Sequence, residues 1–158
     1  MYTGSFDPIT HGHLNIIERS CRLFERLVIG IGVNVDKKSL LTIEERVNLA
    51  RQVTASYDNV EVFDFEGLAV DFVKSQDAQV MIRGVRPMTD VAGEFSMLLA
   101  NRQLAPEIET VFLMADSEYA HLSSSLIKQI APLASDEMLQ RFVPKEVIAS
   151  LRSSLSAD

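Results

Sequence analysis

A single α/β domain built on a five-stranded parallel sheet is the fold this sequence predicts, and three observations predict it. Short apolar runs rich in β-formers alternate with stretches of helical periodicity along the whole chain, the pattern of strand–helix–strand units. One run, residues 27–33 (Leu-Val-Ile-Gly-Ile-Gly-Val), contains no polar side chain, as expected of a strand buried on both faces. The opening stretch Gly4-Ser5-Phe6-Asp7-Pro8-Ile9-Thr10-His11-Gly12-His13 sets a glycine-bearing turn between a strand and a helix start.

Size and composition bound the problem. The 158 residues suit one domain, 1–158, and 47% hydrophobic with 23% charged residues is ordinary for a globular protein. Fifteen basic against 22 acidic side chains leave a net charge of −7. That balance argues against a nucleic-acid-binding surface, which needs a basic stripe, but a few local cations suffice for one polyanionic small molecule. The run at 27–33 is too short to span a bilayer, and no charged leader with an apolar segment precedes the first motif. No membrane association is expected. The one cysteine, Cys21, has no internal partner and reads as an inert core thiol, so a reducing, cytoplasmic setting is expected.

The elements follow in order. Residues 1–3 form a first strand shorter than the usual five or six residues. Leu14, Ile17, Cys21 and Phe24 recur at the spacing of one buried helical face. After the strand at 27–33 comes a loop with Lys37 and Lys38, and then Thr42-Ile43-Glu44-Glu45, a capping box that opens a helix with Ile43, Val47, Ala50 and Val53 inward. A strand at 60–63 precedes a helix at 68–76 that buries Ala69, Phe72 and Val73. A strand at 80–82 ends in the loop Arg83-Gly84-Val85-Arg86-Pro87. The helix expected at 90–104 has Phe95, Leu98 and Leu99 inside and Glu94 on its solvated face. A fifth strand, 110–114, is followed by helices at 123–130 and 145–155, the last with Val147, Ile148, Leu151 and Leu155 inward.

Right-handed crossovers then give the strand order 3-2-1-4-5, a Rossmann-like arrangement with helices on both faces. In such sheets ligands bind beyond the carboxyl ends of the strands where the order reverses, here between strands 1 and 4. The two loops at that point are the most chemically marked in the chain. The first offers free backbone N–H groups and the positive end of a helix dipole, a seat for phosphate. It is neither Gly-x4-Gly-Lys-Ser/Thr nor Gly-x-Gly-x-x-Gly. In the second, Arg83 and Arg86 straddle Gly84; either alone reads as a solvated arginine, but together they suit bidentate oxyanion recognition. Ser123, Ser124 and Ser125 fit both a helix N-cap and a phosphate grip. His11 and His13 have one further histidine and one cysteine for company, so no zinc set is expected.

The Ser-Phe-Asp-Pro stretch followed by Thr10-His11-Gly12-His13 resembles the signature of the nucleotidyltransferase superfamily, with Thr10, Gly12 and His13 at the motif positions. Further segments narrow the resemblance. They are Lys37 five residues before Thr42-Ile-Glu-Glu-Arg, Ile82-Arg83-Gly84-Val85-Arg86, Glu94-Phe95, Asn101-Arg102, Val111-Phe112-Leu113 and Ser123-Ser124-Ser125-Leu126-Ile127-Lys128. Together they resemble the bacterial phosphopantetheine adenylyltransferase family over nearly the whole chain. That resemblance implies transfer of the adenylyl group of ATP to 4′-phosphopantetheine, with Mg²⁺, to give dephospho-coenzyme A and pyrophosphate. It implies that Ser5, Lys37, Ala69 and Arg83 contact phosphopantetheine. ATP would be held by Ser5, Phe6, His13, Gly84, Val85, Arg86, Glu94 and the run Tyr119, Ala120, His121, Leu122, Ser123, Ser124 and Ser125. His13 would be the catalytic residue that stabilises the transition state. A homohexamer, with coenzyme A as a feedback ligand, is implied too. The chain departs from the family in lacking an aromatic residue before Glu94, and in Tyr119-Ala120-His121-Leu122 for the more familiar Tyr-Ser-Phe-Ile. Two other readings stand beside this one: a nucleotidyltransferase using cytidine triphosphate or a mononucleotide acceptor, and a non-catalytic nucleotide or coenzyme A sensor.

Overall fold

A computed structural model describes residues 1–33, 39–86 and 91–156, the side chains of Val91 and Ala92 excepted. Lys37 and Lys38 lie outside the described residues. The elements run β1 (Tyr2–Gly4), α1 (His11–Leu23), β2 (Leu27–Gly32), α2 (Ile43–Thr54), β3 (Val60–Phe65) and α3 (Ala69–Ser75). They continue as β4 (Val80–Val85), α4 (Val91–Leu104), β5 (Glu109–Met114), α5 (Ser124–Ile130), α6 (Asp136–Leu139) and α7 (Lys145–Ser156). A single 3₁₀ turn, Ser117–Tyr119, precedes α5. The strands make one sheet in the order β3-β2-β1-β4-β5, parallel at every pairing. This is the expected Rossmann-like topology.

Alternate strand residues feed two apolar layers, as a sheet covered on both faces requires. Leu27, Ile29, Ile31 and Ile82 meet Ile16 and Ile17 of α1, Ile127 of α5 and Val147 and Leu151 of α7. Val28 and Met81 meet Val70 and Val73 of α3, with Ala105 and Ile108 beyond α4. Gly30 of β2 has a packing reason. A Cβ there would lie 2.6 Å from the Phe72 ring, which stacks flat on Phe65 at 4.6 Å. Glycine lets that aromatic pair lie against the sheet. Among the described residues no helix is long and apolar enough to cross a membrane.

Several local expectations are corrected. The fourth strand continues through Arg83 and Gly84 to Val85, because its ladder with β5 persists to the pair Val85 and Met114. Arg83 and Gly84, which read as loop residues, are therefore the carboxyl end of a strand, and Arg86 follows directly after it. β3 likewise runs on to Phe65, paired with Gly32. α6 and the 3₁₀ turn had no periodic signal to reveal them. The buried line of α1 is Ile16, Ile17 and Ser20, with Leu14, Cys21 and Phe24 only partly covered. Ser20 is admitted to the interior because its hydroxyl donates to the Ile16 carbonyl at 2.7 Å.

The largest departure is α4. Phe95 and Leu99, expected inside, are 54% and 53% exposed, while Glu94 turns inward with Leu98 and Asn101. Apolar residues nearly encircle this helix, so periodicity alone could not choose a face. The choice is made by Arg83 on β4, which takes the Glu94 carboxylate.

Candidate active site

The site begins with a helix cap. Thr10 is the N-cap of α1, and its hydroxyl accepts the His13 N–H at 3.4 Å. In return the Thr10 N–H donates to His13 Nδ1 at 3.0 Å. The arrangement is a capping box with histidine in the place that Glu45 takes at the start of α2, where Thr42 is the cap. Because Nδ1 is an acceptor, the neutral ring carries its proton on Nε2, the nitrogen remaining for the cavity that His13 lines. Burial, aided by the Arg86 charge, pushes the His13 pKa down to about 4. The imidazole is therefore a neutral N–H donor at ordinary pH.

This shift has a consequence for stability. Between pH 6.5 and 4 an unfolded chain protonates His13 while the folded chain does not. The associated stability is complete above pH 6.5 and is lost as the pH falls toward 4, by at most roughly 3 kcal/mol since the ring keeps some exposed surface. Thermal melts of the wild type should fall more steeply over this range than those of His13→Asn. Parallel profiles would show that His13 titrates normally.

The loop between β1 and α1 is fixed from several sides. Phe6 has φ of +46°, in the left-handed region that non-glycine residues seldom occupy. Its ring is 1% exposed and packs on Tyr2 at 5.3 Å and on His13 at 5.0 Å. Phe6 thus supports the imidazole from behind and does not line the cavity. Arg46, buried on α2, donates to the carbonyls of Ser5 at 3.0 Å and Gly32 at 3.3 Å, tying the loop to the end of β2. The functional reading of the sequence passed over Arg46. The available signal was its position beside Val47 on the inward face of a capped helix.

Two cavities open at the carboxyl ends of the strands. The first, about 440 Å³, is lined by His13, Gly12, Gly84, Val85, Arg86, Glu94, Tyr119, Leu122 and the three serines 123–125. The second, about 590 Å³, is lined largely by apolar groups, including Phe65, Leu68, Ala69, Met81 and Met97, with Asn101. Thr3, Gly4, Ser5 and Arg83 belong to both. The sheet therefore does bring the Gly12-His13 corner and the arginine-bearing strand end together where the strand order reverses.

Arg83 stands at the junction. Its Nε and Nη2 each donate to a Glu94 oxygen at 2.7 Å, and Nη1 donates to the Thr3 carbonyl at 2.9 Å. Glu94 is thus an ion-pair partner and not the solvated residue its position suggested. Gly84 lets the floor lie low, since a Cβ would come within 3.0 Å of Ile16 and 3.1 Å of the Tyr2 hydroxyl. Arg86 donates to the Leu122 carbonyl at 3.3 Å. Ser123 caps α5, accepting the Leu126 N–H at 3.0 Å, and the Ser124 hydroxyl donates to the Pro8 carbonyl at 2.9 Å. Ala120 and His121 fall outside the lining of either cavity; the His121 ring sits edge-on to Phe142 at 6.1 Å.

Comparison with known proteins gives the family. Residues 1–130 match the cytidylyltransferase-like family, so fold and site together define a nucleotidyltransferase. The fold is shared with a solved nicotinic acid mononucleotide adenylyltransferase of Plasmodium falciparum, at a TM-score of 0.70 and 14% identity over 96% of this chain and 92% of that one. A phosphopantetheine adenylyltransferase of Rhodopirellula baltica is 60% identical over 99% of this chain and 88% of its own length. One of Clostridium botulinum is 49% identical over 96% and 94%. The chain belongs to the phosphopantetheine adenylyltransferase family.

Proposed function

We propose that this chain transfers the adenylyl group of ATP to 4′-phosphopantetheine, releasing pyrophosphate and forming dephospho-coenzyme A. The carrying observation is the pair of cavities that meet at Ser5 and Arg83, one polar and beside a neutral histidine, the other largely apolar. ATP occupies the first, against His13, Gly84 to Arg86, Glu94, Tyr119, Leu122 and the serines. The pantetheine arm occupies the second, beside Ala69, with its phosphate toward Ser5 and Arg83; the family resemblance adds Lys37 as a further contact.

The chemistry asks little of the protein beyond placement. A phosphomonoester has its second pKa near about 6, so the attacking phosphate is already ionised and no general base is needed. A phosphate oxygen of the acceptor bonds to the α-phosphorus, the bond to the bridging oxygen breaks, and pyrophosphate leaves with the electron pair. The His13 Nε2–H donates to an α-phosphoryl oxygen as charge builds there, in a site where fixed donors count for more than in water. The lysine and arginine lessen the repulsion between two polyanions.

A magnesium ion fits this cleft as a companion of the triphosphate, since such ions are commonly held by substrate phosphates and one or two carboxylates. Glu94, whose two oxygens Arg83 already holds, is the carboxylate lining the first cavity, and no described cluster of three His, Cys, Asp or Glu forms a cage. The ion would neutralise charge on the leaving pyrophosphate. Coenzyme A contains both halves of the product and would compete across both cavities as a feedback ligand. The uncovered Phe95, Met97, Leu99 and Leu104 of α4 suit self-association, and the homohexamer that the resemblance implies is measured by light scattering. A cytoplasmic location suits these substrates.

Pyrophosphate release from ATP and 4′-phosphopantetheine by the purified chain tests the reaction. Cytidine triphosphate replacing ATP, or binding without release, would favour the rival readings.

A further inference from the structure

Asp7 has no part in the chemistry above, yet it is the most heavily engaged side chain of the loop after β1. It is 4% exposed. Its Oδ2 accepts the Leu40 N–H and its Oδ1 the Leu41 N–H, each at 2.9 Å. The ammonium of Lys128, on α5, also donates to Oδ2. One carboxylate therefore joins three segments. The first carries Ser5, which lines both cavities; the second is the stretch at Leu40 and Leu41 that leads into α2; the third begins with the serines that line the polar cavity. Only an acceptor group with no hydrogens of its own can serve all three donors, and an asparagine would turn an NH₂ toward at least one of them.

We propose that Asp7 is a positioning residue that sets the spacing between the acceptor-phosphate side and the nucleotide side of the cleft. It acts through the amides of Leu40 and Leu41 and the ammonium of Lys128. This rests on reading the cleft as an adenylyl-transfer site. In-line attack needs its atoms about 3–3.5 Å apart, and a misplacement of about 1 Å can cost about 10²-fold in rate. A group that holds both sides at once can produce a loss of that size without touching either substrate.

The test compares wild type, Asp7→Asn, Lys128→Met and the double variant, each followed by pyrophosphate release and by thermal melting. Each single change leaves one charge without its partner and should lower Tm, whereas the double leaves none. The expected result is a double variant that melts no lower than Asp7→Asn but keeps a kcat about 10²-fold below wild type. A double variant that regains rate together with stability would overturn the proposal, as would wild-type kcat in Asp7→Asn. Should Asp7→Asn fail to fold, Lys128→Met against the double isolates the two amide bonds. A lower kcat in the double supports the proposal, and equal kcat overturns it. A wild-type chain that releases no pyrophosphate overturns the underlying reading itself, an outcome visible before any variant is made.

Discussion

Replacing His13 by alanine should lower kcat by about 10²–10³-fold, the usual effect of removing one preorganised donor to a developing oxyanion, while KM for ATP changes little. The reason lies in the cap. With Nδ1 held by the Thr10 N–H at 3.0 Å, the ring presents a single N–H in a fixed direction and needs no reorganisation as charge develops. A pKa near 4 keeps it neutral, so it does not bind the ground-state triphosphate as a cation would. On the proposed reaction its contribution is therefore expected in the transition state. Steady-state kinetics separates the cases: an effect confined to KM would show that His13 only binds nucleotide. Any acidic limb of the wild-type rate profile near pH 6 belongs to the acceptor phosphate, because His13 does not titrate there.

Arg83→Lys should cost nearly as much as Arg83→Ala in kcat/KM for phosphopantetheine, about 10–10²-fold for each charge-assisted bond lost at roughly 1.5–3 kcal/mol. A guanidinium satisfies Glu94 through two nitrogens and Thr3 through the third while still facing the junction of the cavities. An ammonium on a flexible stem cannot reproduce that fork. The change also leaves the Glu94 carboxylate poorly paired at a largely buried position, so the variant should melt below wild type. Calorimetry checks the assignment: weakened ATP binding with intact phosphopantetheine binding would place Arg83 on the wrong side of the cleft.

The site was legible to the extent that chemistry is local. Thr10, Gly12 and His13 lie within one helical turn, so their spacing alone announces a capped helix start. The triple serine announces another in the same way. Arg46 and Asp7 were not legible as site residues, because their partners are 41 and 121 positions away in the chain and no periodicity encodes such pairings. α4 was misread for a related reason. Its apolar residues mark no single stripe, and the inward face was decided by an arginine on a different element.

By itself the sequence determined the alternation of strands and helices, the order of the sheet and the end of the sheet where the cleft opens, since periodicity, capping boxes and crossover handedness are short-range matters. The tertiary structure alone decided that Arg83 belongs to a strand and pairs with Glu94, that Phe6 braces the imidazole, and that one carboxylate gathers three segments. Those outcomes depend on which buried charges and backbone donors find one another once distant parts of the chain are packed, and an unmet group there costs more than any local preference supplies.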